Sequence, residues 1–242
     1  MHADFRRNEL QRLEKCAMPT ICIFTEGWDR HSAEMIATSA ASAISSHGSC
    51  NLFLTGGKSI QGVYRELSSH RVTVNGRINY FFGDERCVPP DHFDSNYRSA
   101  CSTLFPAGMP SCVNVHRMVG ECLNSENEAC RYEAAMPERI DVVLLVPGPD
   151  GHIASLFPDD PALSERNRLV VPVNHPSMGR RLTITPVVLA RTRQLFVLAK
   201  GAEKGKVLRR ALLDSSPLPV SKALVGVWLM DKEAGDAFGA SP

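Results

Sequence analysis

Apolar and polar positions along the chain follow two rhythms. Short, nearly unbroken apolar runs recur at Thr20–Thr25 (TICIFT), Asn51–Thr55 (NLFLT), Ile78–Phe82 (INYFF), Asp141–Val146 (DVVLLV) and Leu195–Ala199 (LFVLA). Runs of that length without polar alternation read as strands buried on both faces. Helical spacing fills the intervals. From about Arg30 to Ser46, Ala33, Ile36, Ala37, Ala40, Ala41 and Ile44 share one side of a helix, with Asp29 as its cap and His47-Gly48 as its stop. Further helices are predicted over about Ile60–Ser69, Asn96–Leu104 (capped by Asp94 or Ser95), Asn124–Ala135 and from Gly201 to about Leu213. Val113–His116 is a weak strand, and Leu169–Val173 (LVVPV) reads as a strand despite Pro172. Arg181–Thr185 (RLTIT) alternates, and is either a strand or the approach to a helix from Pro186. Pro217 and Pro219 mark a loop, Leu224–Met230 contains the last strand, and Asp231–Ala237 forms a short helix. Strands alternating with helices, with no repeat or linker, predict one α/β domain: a mainly parallel, Rossmann-like open sheet flanked by helices. That domain is expected to span residues 20–242, behind an extension over residues 1–19.

In such a sheet ligands bind beyond the carboxyl ends of the strands, and three of the apolar runs end in reactive residue types. Asn51–Thr55 passes directly into Gly56-Gly57-Lys58-Ser59 and then a helix. This arrangement aims backbone N–H groups at an anion, and Lys58 adds a positive charge. A tight turn without a ligand fits the same residues, and the stretch is neither a G-x-x-x-x-G-K-[ST] loop nor a G-x-G-x-x-G fingerprint. Ile78–Phe82 ends in Gly83-Asp84-Glu85-Arg86. A solvated loop is the ordinary reading of a charged run, but this one stands at a buried strand's end, at the same edge as the glycine turn. Asp141–Val146 is stopped by Pro147, Gly148 and Pro149, and Asp150-Gly151-His152 follows. Asp and Gly there also suit a plain turn; His152, however, sits where chemistry is expected, and histidine is the residue type suited to proton transfer near neutral pH.

Composition narrows the classes. A formal net charge of +1 over 242 residues argues against a general nucleic-acid or membrane surface, though not against a local cationic pocket. The eight cysteines include no CxxC pair and read as reduced thiols of a cytoplasmic protein. Met1–Pro19 is charged and lacks the apolar core of a secretory signal, and no apolar stretch approaches the ~18 residues of a membrane span. No HExxH or paired carboxylate–histidine spacing suggests a metal, and none is expected.

Four separated stretches together resemble one family, the 6-phosphogluconolactonases. Thr55–Ser59 (TGGKS) is similar to the family's SGG-S/T phosphate loop, and Phe82–Tyr97 (FGDERCVPPDHFDSNY) to its GDER…DSNY segment. Asp150–Pro158 (DGHIASLFP) resembles its DGHTASLFP signature. Arg181–Thr185 with Gly201–Lys204 (GAEK) resembles its R-x-T-x-T and G-x-x-K pair. The likeness runs from about Thr20 to Ala234. The related glucosamine-6-phosphate deaminases share the fold and a DGHIA motif, but continue with FNEP and carry DEY where this chain has Asp84-Glu85-Arg86. The chain departs from the family at Val146-Pro147-Gly148, where G-M-G or G-I-G is usual, at Lys58, where Ser or Arg is common, and at Ile60, where Pro is usual.

The resemblance implies a sugar-phosphate isomerase/lactonase type of fold and hydrolysis of 6-phosphoglucono-δ-lactone, the second step of the oxidative pentose phosphate pathway. It implies no cofactor, a small-molecule sugar-phosphate partner and a monomer. His152 is the candidate base, with Asp150 orienting the imidazole or the water, or only shaping the turn. Gly56, Gly57, Lys58 and Ser59 are expected around the phosphate, with Arg86, Arg181 and Lys204 as cations. Asp84 and Glu85 are expected to accept sugar hydroxyls or to hold Arg86, and Asn96 to contact substrate. Two alternatives share the fold: a deaminase/isomerase, and a non-catalytic sugar-phosphate sensor. A sensor would lack the histidine, and no DNA-binding segment is read before Thr20.

Overall fold

The computed structural model describes residues 18–74, 76–213 and 218–240. Most of the predicted extension, with Cys16, and the loop marker Pro217 lie outside them. The strands are β1 (Thr20–Phe24), β2 (Cys50–Leu54), β3 (Ile78–Phe82), β4 (Asp84–Arg86), β5 (Asn114–Val115), β6 (Ile140–Leu145), β7 (Val170–His175), β8 (Gly179–Ile184), β9 (Thr192–Ala199) and β10 (Val227–Asp231). The α-helices among the described residues are α1 (Trp28–His47), α2 (Ile60–Ser68), α3 (Asn96–Leu104), α4 (Ser125–Ala134), α5 (Pro186–Arg191), α6 (Ala202–Leu213) and α7 (Lys232–Gly239).

Seven strands form one sheet in the order β1-β10-β9-β6-β2-β3-β5, and every neighbouring pair is parallel. β6 lies at its centre and is buried along its whole length. Successive side chains of a strand point to opposite faces. Val142 and Leu144 therefore join Leu52, Leu54, Phe196 and Leu198 in one core, while Val143 and Leu145 join Phe53, Leu195 and Val197 in the other. The unbroken apolar run is thus the signature of a two-sided layer. At one end of the sheet Asn51, Asn79 and Asn114 stand in register across β2, β3 and β5, joined by side-chain bonds of 2.9 and 3.2 Å. A shift of register would break both bonds.

A second, antiparallel sheet, β4-β8-β7, was not anticipated. The charged cluster Asp84–Arg86 is itself its edge strand, and RLTIT is both alternatives at once, strand β8 followed by α5 from Pro186. Pro172 is tolerated because β7 is the opposite edge. Two local expectations are corrected. Asp29 does not cap α1: Gly27, left-handed at φ 62°, occupies the cap without a side-chain bond, and Asp29 lies in the first turn, paired to Lys200 Nζ at 2.8 Å. Ala41 is exposed, and Ser32 takes a place on the buried face. The stop at Gly48 stands, left-handed at φ 81° with its N–H on the Ile44 carbonyl. Ser95, not Asp94, caps α3, accepting from the Arg98 N–H.

Candidate active site

A cleft of about 220 Å³ opens beyond the carboxyl ends of β2, β3 and β6. Its polar lining is Asp84, Arg86, Asn96, His152, Arg181 and Lys204, set between the turn Thr55–Gly57 and the rim Val146–Pro149. The strand ends read as reactive in the sequence do converge.

His152 is seated by three contacts. Its Nδ1 lies 2.5 Å from Asp150 Oδ1, and the His152 N–H reaches the same oxygen at 3.2 Å. With the carboxylate at Nδ1, the proton belongs there, and Nε2 is left as the basic nitrogen. Burial alone would raise the Asp150 carboxyl, but the His152 N–H and imidazole outweigh it and hold the group below the usual carboxylate range. Beneath the ring is Gly148: a Cβ there would stand 2.1 Å from Cε1 and 2.2 Å from Nδ1 of His152. Phe157 packs against the ring at 4.8 Å between centroids. Asp150 itself does not line the cleft; it acts on the imidazole.

The cations come from three elements. The antiparallel register of β4 and β8 sets Arg86 opposite Arg181. Arg86 donates to the Asp94 carbonyl, and its Nε is buried with no partner among the described residues. Arg181 is 9% exposed, so its charge is nearly removed from water. Its Nε bonds the Met178 carbonyl at 3.3 Å, and its NH1 stands 3.7 Å from Asp84. Burial pushes the Arg181 guanidinium downward; Asp84 opposes this and Arg86 adds to it. Lys204, near the start of α6, donates to the Pro147 carbonyl at 2.5 Å, and burial alone lowers its pKa. The cleft lining thus sets two facing guanidiniums and a half-buried ammonium against one carboxylate, Asp84, with Asp94 and Glu85 also acting on Arg181, and a bound anion would offset the positive charge of the lining.

The remaining candidates divide. Gly56 and Gly57 line the cleft. A Cβ on Gly56 would fall 1.9 Å from Asn96 Oδ1, and Gly57 is left-handed at φ 106°, so both positions need glycine. Lys58 is exposed and Ser59 begins α2 without a side-chain cap; neither lines the cleft. Asn96 lines it, but its Nδ2 is committed to the backbone and side-chain oxygens of Asp84, both at 3.0 Å. Asp84 also accepts from Ser155 Oγ at 2.7 Å. Glu85 does not line the cleft. Its carboxylate accepts from the N–H groups of Arg86, Asn96 and Tyr97, each at 2.8 Å, and from Ser95 Oγ at 3.1 Å. These bonds tie the start of α3 to the backbone of Arg86.

Sequence reading missed several lining residues. Thr55 is fixed by Tyr64, whose hydroxyl bonds both its N–H and its carbonyl. Ala154 lines the cleft with a left-handed φ of 50°, inside the tight turn Ile153–Leu156. Nothing in an alanine announces that. Gly148 was legible only as part of the stop after the strand and of the loop where the chain departs from the family.

Fold and site together define an α/β protein whose cleft sets an oriented histidine beside a cluster of cations. Residues 26–228 match the family described as glucosamine-6-phosphate isomerases/6-phosphogluconolactonase, and the chain belongs to it. A 6-phosphogluconolactonase of Synechocystis sp. is 31% identical over 218 residues, covering 83% of this chain and 90% of that protein. The crystal structure of the Thermotoga maritima 6-phosphogluconolactonase superposes with a TM-score of 0.79 at 29% identity, over 88% of this chain and 100% of that one. A monomeric glucosamine-6-phosphate deaminase, at 20% identity, TM-score 0.74 and coverage of 91% and 99%, shares the fold.

Proposed function

We propose that this chain hydrolyses 6-phosphoglucono-δ-lactone to 6-phosphogluconate. The observation that carries the reading is that one cleft holds both an oriented imidazole and an unbalanced set of cations. The relatives named above as 6-phosphogluconolactonases support it. So does Ser155-Leu156-Phe157-Pro158 after the histidine, where deaminases differ.

In this reading Arg86, Arg181 and Lys204 hold the phosphate beside the glycine turn. Asp150 keeps the His152 proton on Nδ1, so Nε2 takes a proton from water as it attacks the lactone carbonyl. The tetrahedral intermediate collapses when the imidazolium returns that proton to the ring oxygen, which leaves as a hydroxyl. All proton transfers are assigned to side chains of this chain, with no cofactor. The whole of residues 20–242 acts as one domain behind its extension, as a monomer, in the cytoplasm and in the pentose phosphate pathway. Among the described residues no helix is long and apolar enough to cross a membrane.

A coupled assay with freshly made lactone, corrected for spontaneous hydrolysis, tests the activity. Turnover well above background is expected with the phosphorylated lactone and poor turnover with gluconolactone. Equal turnover of the two would remove the case for a phosphate site.

A further inference from the structure

The groups packed around Phe157 form a closed circuit. Phe157 is 1% exposed. His152 lies against its ring at 4.8 Å, His175 at 4.3 Å, and the Arg181 guanidinium carbon stands 5.7 Å from the ring centroid. The remaining side of the circuit is polar. His175 Nδ1 accepts from the Ser177 N–H at 3.3 Å and the Met178 N–H at 3.2 Å, so its proton sits on Nε2. The Met178 carbonyl in turn accepts from Arg181 Nε at 3.3 Å. Base, anchor and hairpin turn thus meet through one aromatic ring and one second histidine.

We propose that Phe157 and His175 are positioning residues for this reaction. Phe157 is the shared platform that sets the separation of His152 from Arg181, and His175 fixes the turn whose carbonyl aims Arg181 into the cleft. The inference rests on the phosphorylated-lactone reading of that cleft. Its physical basis is that an arginine side chain is long and flexible, and here its carboxylate partner stands at 3.7 Å, too far for a hydrogen bond. Direction must come from the Nε–carbonyl bond and the ring face. That carbonyl belongs to a turn whose residues 176–178 are exposed and lie beyond the last ladder pair, His175↔Gly179, so within the turn the bonds to His175 Nδ1 hold it. The ring contact ties the same turn to the platform under His152.

Three variants test this: His175→Leu, His175→Asn and Phe157→Leu. KM and kcat are read with the phosphorylated lactone, and the Kd of 6-phosphogluconate by calorimetry. His175→Leu should raise both KM and Kd by roughly 3- to 10-fold, the scale of a misdirected charge-assisted hydrogen bond, and leave kcat within about 2-fold. Asparagine offers a side-chain oxygen to the same two N–H groups, so His175→Asn should restore both constants. Phe157→Leu should raise KM and lower kcat together, because base and anchor both lose their reference surface. The circuit is overturned if His175→Leu keeps wild-type KM and Kd, if His175→Asn fails to restore them, or if Phe157→Leu loses thermal stability with unchanged kinetics. Wild-type turnover in the same assay tests the lactonase reading separately, and the calorimetry decides the circuit even where turnover is absent.

Discussion

At the residue scale, the account turns on how little freedom His152 has. Its ring rests on Gly148, is bonded at Nδ1 and is flanked by Phe157. Gly148→Ala puts a methyl group where the imidazole lies, so the ring must move off Asp150. We expect kcat to fall by roughly 10²-fold, the cost of misplacing a reacting group by about 1 Å, with KM little changed because the cations stay in place. Steady-state kinetics decide this, and unchanged kcat would mean the ring seat is dispensable. Asp150 supplies a prediction with a definite sign. Its folded pKa is depressed, so the pairing contributes stability above the ordinary carboxylate pKa of about 4, and loses it as pH falls through the lower folded value. Thermal melts of wild type and Asp150→Asn should therefore differ at pH 7 and converge in acid. A gap that does not narrow as the pH falls below the ordinary carboxylate value would contradict the assignment.

At the element scale, β4 and β8 of the antiparallel sheet carry two of the cleft's cations, Arg86 and Arg181, and they are where sequence reading reached least far. β4 is three residues long and charged, so no apolar rhythm marks it. The resemblance left Glu85 either to accept sugar hydroxyls or to hold Arg86. In the fold its burial pushes the carboxyl upward, against the three N–H groups it accepts, and its role is to start α3. Glu85→Ala should then cost stability, about 1–3 kcal/mol for each buried N–H left without an acceptor, with partial relief where water enters. The proteins that remain folded should keep KM within about 2-fold. Urea titration and kinetics on the folded fraction separate the two, and a large KM rise without lost stability would return Glu85 to the substrate. The parallel strands were legible because burial on both faces writes an unbroken apolar run, as in β6. The helix stop at Gly48 and the cap at Ser95, one of two candidates there, were legible from a specific local backbone need, whereas the cap at Asn124 was read only as part of its helix. Asp29 was misread because the left-handed backbone of Gly27 starts that helix without a side-chain cap.

At the scale of the whole molecule, topology does what local sequence does not show. A parallel sheet brings the ends of β2, β3 and β6 to one edge, although 96 residues separate Gly56 from His152 in the chain. The antiparallel sheet then delivers Arg181 opposite Arg86, and α6 delivers Lys204. A chain with a net charge of only +1 thereby concentrates three cations in one cleft. The composition excludes a broad basic surface yet permits this focused field. The central claim is that base and anchor are separate devices sharing that cleft. It is tested most directly by comparing kcat/KM for phosphorylated and unphosphorylated lactone in wild type and His152→Ala. The base variant should lose roughly 10²–10⁴-fold in kcat, toward the low end because lactones already hydrolyse in water, while still binding 6-phosphogluconate as wild type does. Wild-type kcat in His152→Ala, or loss of 6-phosphogluconate binding along with it, would contradict that division.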